Sequence, residues 1–106
     1  MIEQDVENII EDELSRMTQV PEVDLECFNN HRIYPKLVEL STDPGAQSWC
    51  SCYLITEHNG ESDSVYRIAF DPNKMLFLRE ITLEGNIPFY ISTLPSLSEA
   101  IDGLLS

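Results

Sequence analysis

Trp49 to Phe70 reads WCSCYLITEHNGESDSVYRIAF, and two strand-forming runs, WCSCYLIT and SVYRIAF, flank the tetrapeptide His58-Asn59-Gly60-Glu61. Asn-Gly between such runs is a strong short-range hairpin signal, because both residues tolerate the positive φ of a tight turn. A central hairpin is therefore expected here. Side chains alternate along a strand, so Trp49, Tyr53 and Ile55 share one face and Cys50, Cys52 and Leu54 the other. Neither face is polar enough to be left fully in water, so cover is expected on both.

Downstream, Asp71-Pro72-Asn73-Lys74 suits a type I turn with Pro at its second position. Met75 to Thr82 then reads as the next strand, Glu84-Gly85-Asn86 as a turn and Pro88 to Thr93 as a last short strand. Ser96 with Glu99 three residues on is a capping-box signal. It predicts a short C-terminal helix with Leu97, Ala100, Ile101, Leu104 and Leu105 on its apolar face.

Upstream, Ile2, Val6, Ile9, Ile10, Leu14 and Met17 recur at helical spacing with acids between them, which predicts an amphipathic helix over residues 2 to 18. Glu13 falls inside that apolar stripe, where the expectation is a side chain that snorkels at the edge or pairs with a base from the sheet. Val23, Leu25 and Cys27 alternate with Asp24 and Glu26, the period of a half-exposed strand. Arg32 to Ser41 is strand-like but holds Pro35, which cannot donate to a ladder and so marks an edge or a bulge. Ser41 to Gly45 is a loop by composition.

The expected fold is thus α+β in one domain, residues 1-106: an N-terminal amphipathic helix, an antiparallel meander of five or six strands and a short C-terminal helix, both helices on one sheet face. At 42% hydrophobic content, 106 residues suffice for a core without metal or disulfide staples. No apolar run approaches the roughly 20 residues that cross a bilayer, and the first residues lack the basic flank and apolar stretch of a secretory signal. Cys27, Cys50 and Cys52 are odd in number, which suits a reducing, cytoplasmic setting.

Nineteen acids against six Lys and Arg give a net charge of -13. Direct nucleic-acid binding is not expected of such a chain, since it requires clustered bases. Nine acids and one base lie in residues 1 to 26, so the charge is concentrated at one end. The partner implied is a protein with a basic surface, met by Glu3, Glu7, Glu11, Asp12, Asp24 and Glu26. An acidic inhibitor of the immunity type or an adaptor fits that description. The bland alternative is a solvated helix face.

Two other classes remain: a homo-oligomeric accessory subunit, here a homodimer, and a small-ligand domain whose pocket is lined by Trp49, Tyr53 and Tyr66. Cys50-x-Cys52 lacks the paired knuckle spacing of a zinc site, so packed thiols and no metal are expected. His31 and His58 sit in turn-like segments without a nucleophile motif, and the four glycines form no phosphate cradle. No catalysis and no cofactor are expected.

Overall fold

The computed structural model describes residues 1–17, 19–43, 45, 47–61, 63–83 and 85–104. Thr18, Pro44, Glu84 and Leu105, on which the expected helix end, loop, turn and helix face partly fell, lie outside the described residues. Among the described residues, three helices and five strands follow one another as α1 (Glu3–Ser15), α2 (Glu22–His31), β1 (Arg32–Ser41), β2 (Trp49–Thr56), β3 (Arg67–Asp71), β4 (Leu76–Leu83), β5 (Ile87–Leu94) and α3 (Leu97–Ile101). The α+β class and the meander order hold. The purely antiparallel sheet with two faces does not, because β1 meets β5 in parallel at Ser41 and Phe89 and closes the five strands into a barrel.

Closure gives the sheet an inside and an outside. Leu40, Cys52, Leu54, Ala69 and Leu78 fill the interior, with Ile33, Val38, Cys50 and Tyr90 packed against them. Tyr53, Ile55, Ile68, Phe70 and Phe77 point outward and form a second core with Val6 and Ile10 of α1, Cys27 and Phe28 of α2, and Leu97, Ala100 and Ile101 of α3. Both faces of β2 are therefore covered from Cys52 to Thr56, while Trp49 and Ser51 at its start are exposed, and the helices share the outer face. Phe70 and Phe77 meet edge to face there, ring centroids 5.1 Å apart.

Residues 22 to 31 correct the expected strand at Val23–Cys27. Five alternating residues are too few to separate the period of a strand from that of a helix. The buried positions are Asp24, Cys27, Phe28 and His31, which is the spacing i, i+3, i+4, i+7. Two of the four are polar, so the stripe did not look apolar. Pro21 stands just before the first turn, where a missing N–H costs nothing.

The hairpin turn at His58–Glu61 is also corrected. β2 ends at Thr56 and β3 begins at Arg67, so residues 57 to 66 form a long connection. Gly60 has the positive φ its position needs, 84°, but Asp63 organises the segment. Its Oδ1 accepts from Asn59 N at 3.0 Å and its Oδ2 from Gly60 N at 2.9 Å.

Pro35 lies where the β1–β2 register slips between Arg32 and Lys36, so the bulge it announced is present. The Asp71 turn forms too, with Asp71 Oδ1 accepting from Asn73 N at 2.8 Å. Ser96 Oγ accepts from Glu99 N at 3.2 Å and caps α3. Glu13 completes that cap from a distance, since its Oε1 accepts from Leu97 N at 2.9 Å while its other oxygen meets Arg16. Its place in the apolar stripe of α1 thus ties α1 to α3. Among the described residues, no helix is long and apolar enough to cross a membrane.

Candidate functional site

Helix α2 ends at His31, and its last turn meets the 57–66 connection and Leu104. Cys27, His31, Thr56, Glu57, His58, Ser64, Tyr66 and Leu104 line a cleft of about 200 Å³, its open mouth included. Cys27 and His31 of its lining stand in line with Asp63 beside it, like a nucleophile, a base and an orienting acid. Cys27 Sγ is 3.7 Å from His31 Nδ1, and His31 Nε2 is 2.8 Å from Asp63 Oδ1.

The hydrogen bonds decide whether this is a triad. Nδ1 also lies 2.7 Å from the carbonyl of Cys27, one helical turn back. A carbonyl only accepts, and so does an ionised carboxylate, so the two contacts together favour a ring protonated on both nitrogens. The charged imidazolium is the form these contacts favour. Burial by itself lowers its pKa, but the Cys27 carbonyl, Asp63 and the Glu61 carbonyl outweigh that and raise it above the ordinary histidine value. The C-terminus of α2 favours the same charge.

Asp63 is held below the usual aspartate range by the N–H groups of Asn59 and Gly60, with His31 and His58 adding to the effect. The Cys27 thiol moves the wrong way for a nucleophile. Burial raises its pKa first, and the nearby Asp24 charge raises it further. Both shifts, His31 towards its charged form and Cys27 towards its thiol, run against proton transfer from Cys27 to His31. Ser64 Oγ, for its part, donates to the Leu104 carbonyl and accepts from Tyr66 N.

The arrangement is a latch. His31 fixes the 57–66 connection to the end of α2, assisted by Asn59 Nδ2 donating to the Asn30 carbonyl at 3.1 Å and by Glu57 N donating to the His31 carbonyl at 2.9 Å.

A second ionic cluster adjoins it on the barrel side. Arg67 donates through Nε to Glu80 Oε2 at 2.6 Å, through Nη2 to Glu80 Oε1 at 3.0 Å and through Nη1 to Glu57 Oε1 at 2.7 Å. Glu80 is fully buried. Glu80 raises the Arg67 pKa, while burial opposes it and Glu57 adds to the rise. Burial would raise Glu57, but Arg67 more than offsets this and holds it below the usual carboxylate range.

The acids expected to meet a partner are divided by the fold. Glu7 and Glu11 both accept from Arg32 Nη2, the latter at 2.6 Å. Asp12 pairs with Arg16 at 2.6 Å. Asp24 is 5% exposed and accepts from Gly103 N at 2.9 Å. Glu3 and Glu26 are exposed.

The three aromatic residues do not line one pocket. Tyr53 is buried in the outer core with its hydroxyl donating to the Met1 carbonyl at 2.8 Å, whereas Trp49 is 46% exposed at the start of β2. Only Tyr66 reaches the cleft, where Arg79 lies 5.6 Å over its ring. Arg79 also donates to the carbonyls of Glu99, Ala100 and Asp102 at the end of α3. All four arginines therefore lie against carboxylates or carbonyls, and Lys36 and Lys74 are exposed.

Sequence reasoning missed His31 and Asp63 as partners because they are 32 residues apart and His31 sat in what read as a turn. A signal was present: His31 stands seven positions after Asp24 and four after Cys27. Among the described residues, no group of three or more His, Cys, Asp or Glu side chains is placed to hold a metal ion.

Fold and site define an α+β protein with a five-stranded closed sheet, three helices on its outer face and an ion-paired cleft at the end of α2. No protein-family model, curated protein or solved structure matches this chain.

Proposed function

We propose that this protein is a non-catalytic, acidic interaction protein of the cytoplasm that docks on a basic surface of a protein partner, as an inhibitor of the immunity type or an adaptor does. The observation that carries this reading is the imbalance left after folding. The arginines are taken up by internal contacts, while Glu3, Glu22, Glu26, Glu61, Glu99 and Asp102 remain exposed. Such a surface accelerates encounter with a basic partner and disfavours nucleic acid. The upward shifts of His31 and of the Cys27 thiol support a non-catalytic reading of the cleft.

The docking residues proposed from the fold are Glu3, Glu22 and Glu26 rather than Glu7, Glu11 and Asp12, whose charges already have partners. Pull-down from the native cytosol with mass spectrometry identifies the partner, and charge reversal then tests the surface. Glu3→Lys, Glu22→Lys and Glu26→Lys together should slow association and reduce its salt dependence, whereas reversing Glu39, Glu61 and Glu99 should do so less. Equal binding by the two triple variants overturns the reading.

A second reading, a homodimeric accessory subunit, draws on Tyr34 and Leu37, 55% and 57% exposed on β1. A monomeric mass by light scattering at about tens of micromolar, the range in which weak dimers form, removes it. The ligand-pocket reading has least support, because Trp49, Tyr53 and Tyr66 do not line one pocket and the cleft beside Tyr66 has room for little more than a water molecule.

A further inference from the structure

Cys50 and Cys52 occupy successive inward positions of β2, and their Sγ atoms are 3.3 Å apart. The two thiols differ in access. Cys52 is fully buried among Leu40, Leu54, Ala69 and Leu78, while Cys50 is half-buried. A small thiol-reactive molecule therefore meets Cys50 first and reaches Cys52 only through it.

Geometry sets what the pair can do. Same-face neighbours on a strand stand about 6.6–6.8 Å apart at Cα, twice the rise per residue, and disulfides accept Cα separations of about 4.4–6.8 Å. A bond between them is reachable at the long end of that range. Bonds at such limits are readily reduced, which suits a reversible link better than a structural one.

We propose that Cys50 and Cys52 form a reversible dithiol–disulfide site whose oxidant is a low-molecular-weight disulfide of the glutathione class. In the first step the Cys50 thiolate attacks one sulfur of the small disulfide. That S–S bond breaks, one small thiol leaves with the electron pair and a proton, and a mixed disulfide remains on Cys50. In the second step Cys52 loses its proton, attacks Cys50 Sγ and expels the second small thiol. Two cysteines are oxidised by two electrons, the small disulfide is reduced to two thiols, and the protons of Cys50 and Cys52 end on those thiols. Burial, with Cys50 adding to it, pushes the Cys52 thiol far above the usual cysteine range, so the second step is the slower one. The site is independent of the acidic surface.

The test is incubation of the full chain with glutathione disulfide, read by intact mass and thiol count. The thiol count should fall from three to one, with a final mass lower by two hydrogens, a cross-link between Cys50 and Cys52, and recovery of all three thiols on reduction. The mixed disulfide should appear on Cys50 before the mass falls. Cys27→Ser should leave both steps intact, Cys52→Ser should stop at the mixed disulfide, and Cys50→Ser should react far more slowly. A wild-type chain that stays at the mixed disulfide, does not react, or forms its bond through Cys27 overturns the proposal.

Discussion

The two sides of the sheet are stabilised in different ways. Outside, thirteen buried described residues, twelve from three helices and three strands and Leu104 just past α3, form one largely apolar core, held by removal of surface from water at about 25 cal/mol per Å². Inside, five small or medium residues suffice, and the barrel beside them carries a fully buried carboxylate, Glu80, on the Arg67 guanidinium. An apolar contact tolerates a shifted neighbour at modest cost. A buried charge does not, because its desolvation is offset only while the partner is in place. Among the described residues, no buried side-chain nitrogen or oxygen lacks a hydrogen-bond partner, so the interior tolerates its charge by complete pairing.

The sharpest way to break that contrast is to remove one partner of the interior pair. Arg67→Ala leaves Glu80 buried without its fork, and the expected loss is about 3–5 kcal/mol in urea unfolding. A loss below about 1 kcal/mol would place the pair with surface salt bridges and erase the distinction.

On the outer side, Ile10→Ala removes a fully buried side chain of α1, with an expected loss of about 2–5 kcal/mol from lost transfer energy and the cavity left behind. A change within error would mean that α1 contributes nothing to the core.

The latch between His31 and Asp63 predicts a pH dependence whose sign follows from two opposite shifts. The folded pKa of His31 is raised, so its contribution is complete below the ordinary histidine value and is lost as pH climbs through the raised one. Asp63 is lowered, so its contribution is complete above the ordinary aspartate value and is lost as pH falls through the lowered one. The latch is fully made between about pH 4 and about pH 6.5. The difference in urea midpoint between wild type and His31→Gln should be largest in that window and shrink above it. A constant difference across pH would mean that His31 is neutral.

The smallest effect is expected on the surface. Glu26→Lys on the exposed face of α2 should change stability by no more than about 0.5 kcal/mol, so a larger loss would reveal a contact that the exposure of Glu26 does not suggest.

The sequence alone determined what depends on neighbours a few residues away. The stripe of α1, the β2 alternation, the slip at Pro35, the Ser96 cap and the excess of acid are all set by local spacing and composition, which act before any distant contact forms. Tertiary structure decided the rest. Closure rests on Ser41 meeting Phe89. The helix at Glu22–His31 became visible only when Asp24 and His31 found buried partners. Arg32 reaches Glu7 across 25 residues and His31 reaches Asp63 across 32, and of the residues expected to meet a partner or a ligand only Tyr66 lines the cleft. A polar residue is worth burying only where its partner is brought to it, and no local pattern records where a distant partner will stand.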